Sequence, residues 1–156
     1  EKVVFIGREN NGAYNIYMYD DGLIKVTDFV DSDYFIGDVA ISPTKNTIVF
    51  SRKYLTDDTC DVFEYNLDTD QMKPIISGPG LDAMGVFSPD GKEVAFASNR
   101  DGSMNIYIYD INNKETRQLT YENTLDAEPQ WSPDGKEIVY TSVKNGVANI
   151  KIISSF

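Results

Sequence analysis

Histidine is missing from all 156 residues of the sequence. Its absence excludes a Ser-His-Asp or Cys-His arrangement within the chain and any histidine-ligated metal site. Cys60 is alone, so no internal disulfide can form and cysteine usage does not encode a redox compartment. No run of 18 apolar residues occurs, and residues 1 to 10 lack the basic and apolar regions of a signal peptide, so the chain reads as soluble with no membrane insertion. Positive charge is also scarce. Fourteen Lys and Arg against 25 Asp and Glu leave a formal net charge of −11. The basic residues are scattered singly, so the summed field repels phosphate backbones and nucleic acid is not an expected partner.

What is present is a repeat. Ser42-Pro43, Ser88-Pro89 and Ser132-Pro133 follow one another at steps of 46 and 44 residues. Ile16, Val62, Ile106 and Ile150 keep the same stride, at 46, 44 and 44. Self-similarity at this period, with only strand-like segments, is the mark of propeller blades. The expected fold is therefore all-β, a propeller segment of about four 44–46-residue blades at about 1–30, 31–78, 79–122 and 123–156. Each boundary has a local cause. In Ser88-Pro89-Asp90-Gly91, proline presets φ for a turn, aspartate supports it by hydrogen bonding, and glycine accepts the positive φ that ends it. The third unit reads as strands over Leu81–Ser88, Glu93–Ala97, Asn105–Asp110 and Thr116–Thr120.

Phe5, Phe50, Phe96 and Tyr140 share one register. Counting back from Phe5 places the first Ser-Pro turn before residue 1, so the first unit opens on its second strand; the last unit stops before its fourth. Fourteen strands are expected where four whole blades need 16. The termini duplicate rather than complement each other, which points to part of a larger ring, or to self-association through the incomplete terminal blades.

Candidate binding residues are acidic. If first strands line the central channel, Asp38, Asp82, Asp126 and Glu128 would carry carboxylates toward one mouth, suiting a cation or a Lys/Arg-bearing peptide. The plainer reading is solvated turn acids or caps on backbone amides. The loop from Arg52 to Thr59 is the longest between second and third strands and holds Asp57 and Asp58; it is either a specific contact or ordinary variation in loop length. It lacks the alternating pattern of a calcium loop. Trp131, Phe87 and Ile41 share a register that reads as blade core, with a binding platform as the alternative. Cys60, with no cationic neighbour in sequence, reads as an inert thiol. No ligand cluster has recognisable spacing, so neither metal nor cofactor is expected.

The run Asp126-Ala127-Glu128-Pro129-Gln130-Trp131-Ser132-Pro133-Asp134-Gly135-Lys136-Glu137-Ile138, with Ser98-Asn99-Arg100-Asp101-Gly102-Ser103-Met104-Asn105-Ile106-Tyr107 and Arg117-Gln118-Leu119-Thr120, resembles the TolB-type, WD-like propeller repeat. The likeness is strongest over residues 81–142. It implies a non-catalytic scaffold that binds a protein or peptide, with the acids favouring a basic one. TolB, which gives the family its name, is a periplasmic propeller that docks a peptidoglycan-associated lipoprotein and other envelope proteins, and many similar repeats stand in exported proteins of unknown role, so the resemblance implies a periplasmic or extracellular setting. Similar repeats form the gating propeller of prolyl-oligopeptidase-like serine peptidases. The alternative is thus a regulatory or substrate-filtering part of a larger enzyme whose hydrolase domain lies outside this sequence.

Overall fold

The computed structural model describes residues 2–30, 33–56 and 58–156. Fourteen strands form four antiparallel sheets of three, four, four and three strands. The first sheet holds β1 (Val3–Arg8), β2 (Tyr14–Tyr19) and β3 (Leu23–Lys25), and the second β4 (Tyr34–Ile41), β5 (Thr47–Tyr54), β6 (Asp61–Asn66) and β7 (Gln71–Ile76). The third comprises β8 (Asp82–Phe87), β9 (Glu93–Ser98), β10 (Asn105–Asp110) and β11 (Glu115–Gln118). The fourth is β12 (Leu125–Trp131), β13 (Glu137–Lys144) and β14 (Val147–Ser154). Strand count and the shortened first and last sheets agree with the repeat arithmetic. Within each sheet the strands run in chain order, and β4, β8 and β12 lie beside one another along the inner edge.

Turn chemistry makes the hairpins. In the third and fourth blades Ser88 and Ser132 hydroxyls donate to Asp90 and Asp134 at 2.7 Å and accept from the Glu93 and Glu137 amides at 3.0 Å. Gly91 and Gly135 take the positive φ, 69° and 72°, that closes each turn. The second blade has Thr44 where the others have aspartate, and Ser42 Oγ instead accepts from the Thr44 and Lys45 amides. Leu81 stands outside β8 because it forms an isolated parallel bridge with Cys60. At the far end of the third blade Thr120 leaves the ladder, and its hydroxyl accepts from the Ile106 amide at 3.0 Å.

Alternation along the middle strands buries both faces of a blade, as expected for sheets packed on two sides. On β5, Ile48 and Phe50 pack with Ile16 of the first blade, while Val49 packs with Val94 and Phe96 of the third. On β9, Ala95 and Ala97 turn the other way to meet Ile138 and Tyr140. Each such fully buried Val, Ile or Phe side chain is worth roughly 1.5–3 kcal/mol. A stacked aromatic pair recurs within blades: Phe5–Tyr17, Phe50–Phe63 and Phe96–Tyr107, at 5.7, 6.0 and 5.6 Å between centroids. Among the described residues, no further blade covers the outer faces of the two end blades. Phe5 is consequently 41% exposed and Ile150 71%, although their register partners Phe50 and Ile106 are fully buried.

Phe87 is a core residue, and Trp131 and Ile41 at the same repeated apolar position are half-buried against core clusters. Phe87 belongs to the cluster between the second and third blades, and Trp131 packs on the next one with its indole N–H donating to Val86 O at 3.2 Å. Cys60 is buried, and burial pushes its thiol up to about 11, consistent with an inert sulfur.

Candidate binding site on the inner wall

Each inner strand breaks its ladder at one place: between Gly37 and Val39, between Ala83 and Val86, and between Ala127 and Gln130. The residue at each break has positive φ, namely Asp38 at 48°, Met84 at 62° and Glu128 at 56°. A bulge inserts a residue that leaves the alternation and re-aims its side chain. Non-glycine residues in this conformation cost of order 1–3 kcal/mol, and such strain gathers at functional sites. Each of the three lies four residues before its Ser-Pro turn, at Ser42, Ser88 or Ser132. All three side chains line one cavity of about 510 Å³, with Val39, Val86, Pro129, Val139, Thr141 and Ile150 among its other walls.

The second strands supply matching support. Ser51, Ala97 and Thr141 share a register. Ser51 Oγ lies 3.5 Å from Asp38 Oδ2 and Thr141 Oγ1 donates to Glu128 Oε2 at 2.9 Å. Where the bulge holds methionine, the supporting residue is alanine. Contacts also run from blade to blade. The Met84 amide donates to Ser51 Oγ at 3.1 Å and to the Asp38 carboxylate, and the Glu128 amide approaches Met84 Sδ at 3.4 Å. Burial raises the Asp38 carboxyl above its ordinary value and the charge of Glu128 adds to the rise, while the Met84 and Ser51 hydrogen bonds oppose it. The wall thus presents two supported acids on an otherwise largely apolar surface, a setting in which a cationic group would gain by neutralising both.

Asp82 and Asp126 do not join that wall. They stand two residues before the bulges, 0% and 1% exposed. Arg100 Nη2 meets Asp82 Oδ1 at 2.8 Å, and Asp126 Oδ1 accepts from Thr124 at 2.8 Å and Ser142 at 2.6 Å. The leading-end acids are therefore anchors within their blades, and only Asp38 and Glu128 of the four face the cavity. Asp58 is exposed on its loop, away from the cavity lining. Asp57 lies outside the described residues. Residue type alone did not single out Met84, Ser51 or Thr141; counting four back from every Ser-Pro turn would have found the first. Among the described residues no three His, Cys, Asp or Glu side chains group as a metal site.

Architecture and inner wall together define a β-propeller segment with an acid-bearing axis. The chain matches the TolB beta propeller domain over residues 1–155 and belongs to that family. Among solved structures it is similar to a putative TolB from Agrobacterium tumefaciens, with a TM-score of 0.83 and 19% identity over 99% of this chain and 57% of that one. It is also similar to TolB from Acinetobacter baumannii, with a TM-score of 0.82 and 26% identity over 98% and 38%. Prolyl endopeptidases share the fold at a TM-score of 0.66 and 14% identity, over 99% of this chain and 30% of theirs. No curated protein matches the chain. It spans little more than half of the first of these solved relatives and well under half of the second.

Proposed function

We propose that the chain is a non-catalytic scaffold whose inner wall binds a basic protein segment, in a periplasmic or extracellular setting like that of TolB-type propellers. The observation that carries this reading is the pairing of each bulge carboxylate with a hydroxyl, Asp38 with Ser51 and Glu128 with Thr141. Both acids are held facing one cavity by bulges of the inner strands, each in a costly backbone conformation. A Lys or Arg side chain entering there meets two acceptors already oriented, which reduces the ordering cost of binding. Titration of the chain with an N-acetylated, C-amidated Lys-Arg-Lys peptide tests this. Asp38→Asn with Glu128→Gln should weaken binding about tenfold or more. Equal affinity for both proteins would remove the reading.

A second reading is favoured by the likeness to prolyl endopeptidases, in which this segment corresponds to part of a much longer chain. There the same wall would filter substrates for a catalytic domain elsewhere. The exposed end faces around Phe5 and Ile150 also support self-association, since one is the aromatic side of a blade and the other the aliphatic side that meets it at internal junctions. Light scattering on the eluting chain should give the mass of a dimer; a folded monomer would end that part of the proposal.

A further inference from the structure

The junction between the second and third blades is a filled seat whose counterpart in the fourth blade stands open. At that junction the Ser51 hydroxyl leans toward its own acid, Asp38, and the two together accept the main-chain N–H of Met84 from the next inner strand, at 3.1 Å to Ser51 Oγ. Gly85 follows and lies against Val49 and Val62, both fully buried; a Cβ there would stand 3.1 Å from Val62 Cγ1 and 3.7 Å from Val49 Cγ2. Each part of the seat recurs in the fourth blade. Glu128 and Thr141 match Asp38 and Ser51, and Val139 matches Val49 at six residues past the proline of each Ser-Pro turn. Ile150 stands across the ladder from Thr141 as Val62 does from Ser51. Here the seat is uncovered: Val139 is half-buried, Ile150 is largely exposed, and all four residues line the cavity. Thr141 already donates to Glu128, and neither side chain has a further hydrogen bond or ion pair among the described residues. Their remaining lone pairs are free to accept, as those of Ser51 and Asp38 do.

We infer that the fourth-blade end of the cavity seats the main chain of the bound segment, which gives one N–H to the Glu128–Thr141 pair and sets its next residue, a glycine, over Val139 and Ile150. This rests on the reading of the inner wall as a site for a basic segment and adds how that segment lies. The glycine follows from the space. Over Val49 and Val62 the inner strand carries Gly85, whereas the next blade, with Ala95 at the register of Val49, is followed by Pro129 at the register of Gly85. Val139 and Ile150 restore a branched pair, and isoleucine is larger than valine, so a side chain at that place would collide with them. Charge selects the flanks. An N–H donated to a carboxylate makes a charge-assisted bond, and Asp38 lines the same cavity, so a Lys or Arg beside the glycine is drawn to two acids. The occupant is therefore an extended basic segment with glycine directly after a basic residue, held by backbone as well as by charge.

Titration of the whole chain with N-acetylated, C-amidated Lys-Arg-Gly-Lys tests this against three altered peptides. In the first, an ester replaces the Lys–Arg amide and removes the N–H of the residue before glycine. In the second, an ester replaces the Gly–Lys amide; in the third, valine replaces glycine. The first and third should bind about tenfold more weakly than the parent peptide, and the second as the parent does. Thr141→Val keeps the side-chain shape without the hydroxyl and should shrink the loss from the first ester to about threefold. The peptide changes leave the protein untouched, so the outcome does not depend on how that variant folds. Parent-like binding of the first ester or of the valine peptide, or equal losses from both esters, overturns the proposal and leaves the basic-segment reading standing. Failure of every peptide to bind removes both, and a dimer by light scattering in that case would place a second copy in the seat.

Discussion

Arg100 in the third blade and Arg52 in the second reach their positions from different places in the repeat, yet each sets its guanidinium over the same third-strand ring. For Arg100 the ring is Tyr107, at 5.3 Å, and for Arg52 it is Phe63, at 5.7 Å. One guanidinium closes on buried Asp82 and donates from Nε to Ser98 Oγ at 3.0 Å; the other stands between Ile36 and Asp61 on its two neighbouring strands, amid four rings. The fourth blade has the carboxylate without the cation, Asp126 resting on two hydroxyls. Three solutions at one register teach that the repeat conserves a shape while the charge inside it is free to change. The pair inside the third blade and the hydroxyls inside the fourth make their buried carboxylates structural.

The largest test of this contrast is Arg100→Ala, which strands Asp82 in the interior and should lower unfolding free energy by about 3–5 kcal/mol. Arg52→Ala should cost only about 1 kcal/mol, the worth of its ring contacts. Urea unfolding of the two variants side by side reads the difference, and equal losses would break the comparison. Next comes Ser142→Ala, removing one of the two hydroxyls that serve Asp126, with an expected loss of about 1–3 kcal/mol. Ser98→Ala should lose less, because Asp82 keeps Arg100. Ile36→Asp rebuilds the missing carboxylate opposite Arg52. Measured as a cycle with Arg52→Gln, it should show a favourable coupling of about 1 kcal/mol; none would mean that the shared register does not place the groups in reach.

The smallest effect is in acid. Hydrogen bonds from Ser88 and Ser132, first among their causes, hold Asp90 and Asp134 below the ordinary carboxylate range. Their contribution is present above the unfolded value and is lost as pH falls through the lowered folded one. Amide exchange at Lys92 and Lys136 should therefore quicken as pH drops through that window, while Lys45, in a turn with threonine instead of aspartate, should show no such step. Asp38 runs the other way. Its raised carboxyl favours the protonated folded form, so stability falls as pH rises from the ordinary value to the raised one.

The fold was legible because its punctuation is local. Ser-Pro-Asp-Gly turns and alternating apolar strands are read within a few residues, and their stride located the short first and last sheets. The acids were only partly legible. Asp82 and Asp126 carry the right residue type, but whether an acid faces water depends on groups such as Arg100 and Ser142, 18 and 16 positions away. Asp38 and Glu128 owe their placement to bulges, which depend on pairing across strands and leave no mark in composition. Arg52 escaped notice for a related reason: its four rings come from β4, β5, β6 and the segment ahead of the second blade, and no spacing rule gathers them.

The inner bulges also have a direction. Asp38 receives the amide of Met84, and Met84 sulfur receives the amide of Glu128, so each of these two side chains serves the blade that comes after it. Damage at one bulge would accordingly be inherited downstream, with the following blade losing its anchor while the altered blade keeps its own. In that sense the inner wall works like overlapping shingles, each bulge resting on the one before it.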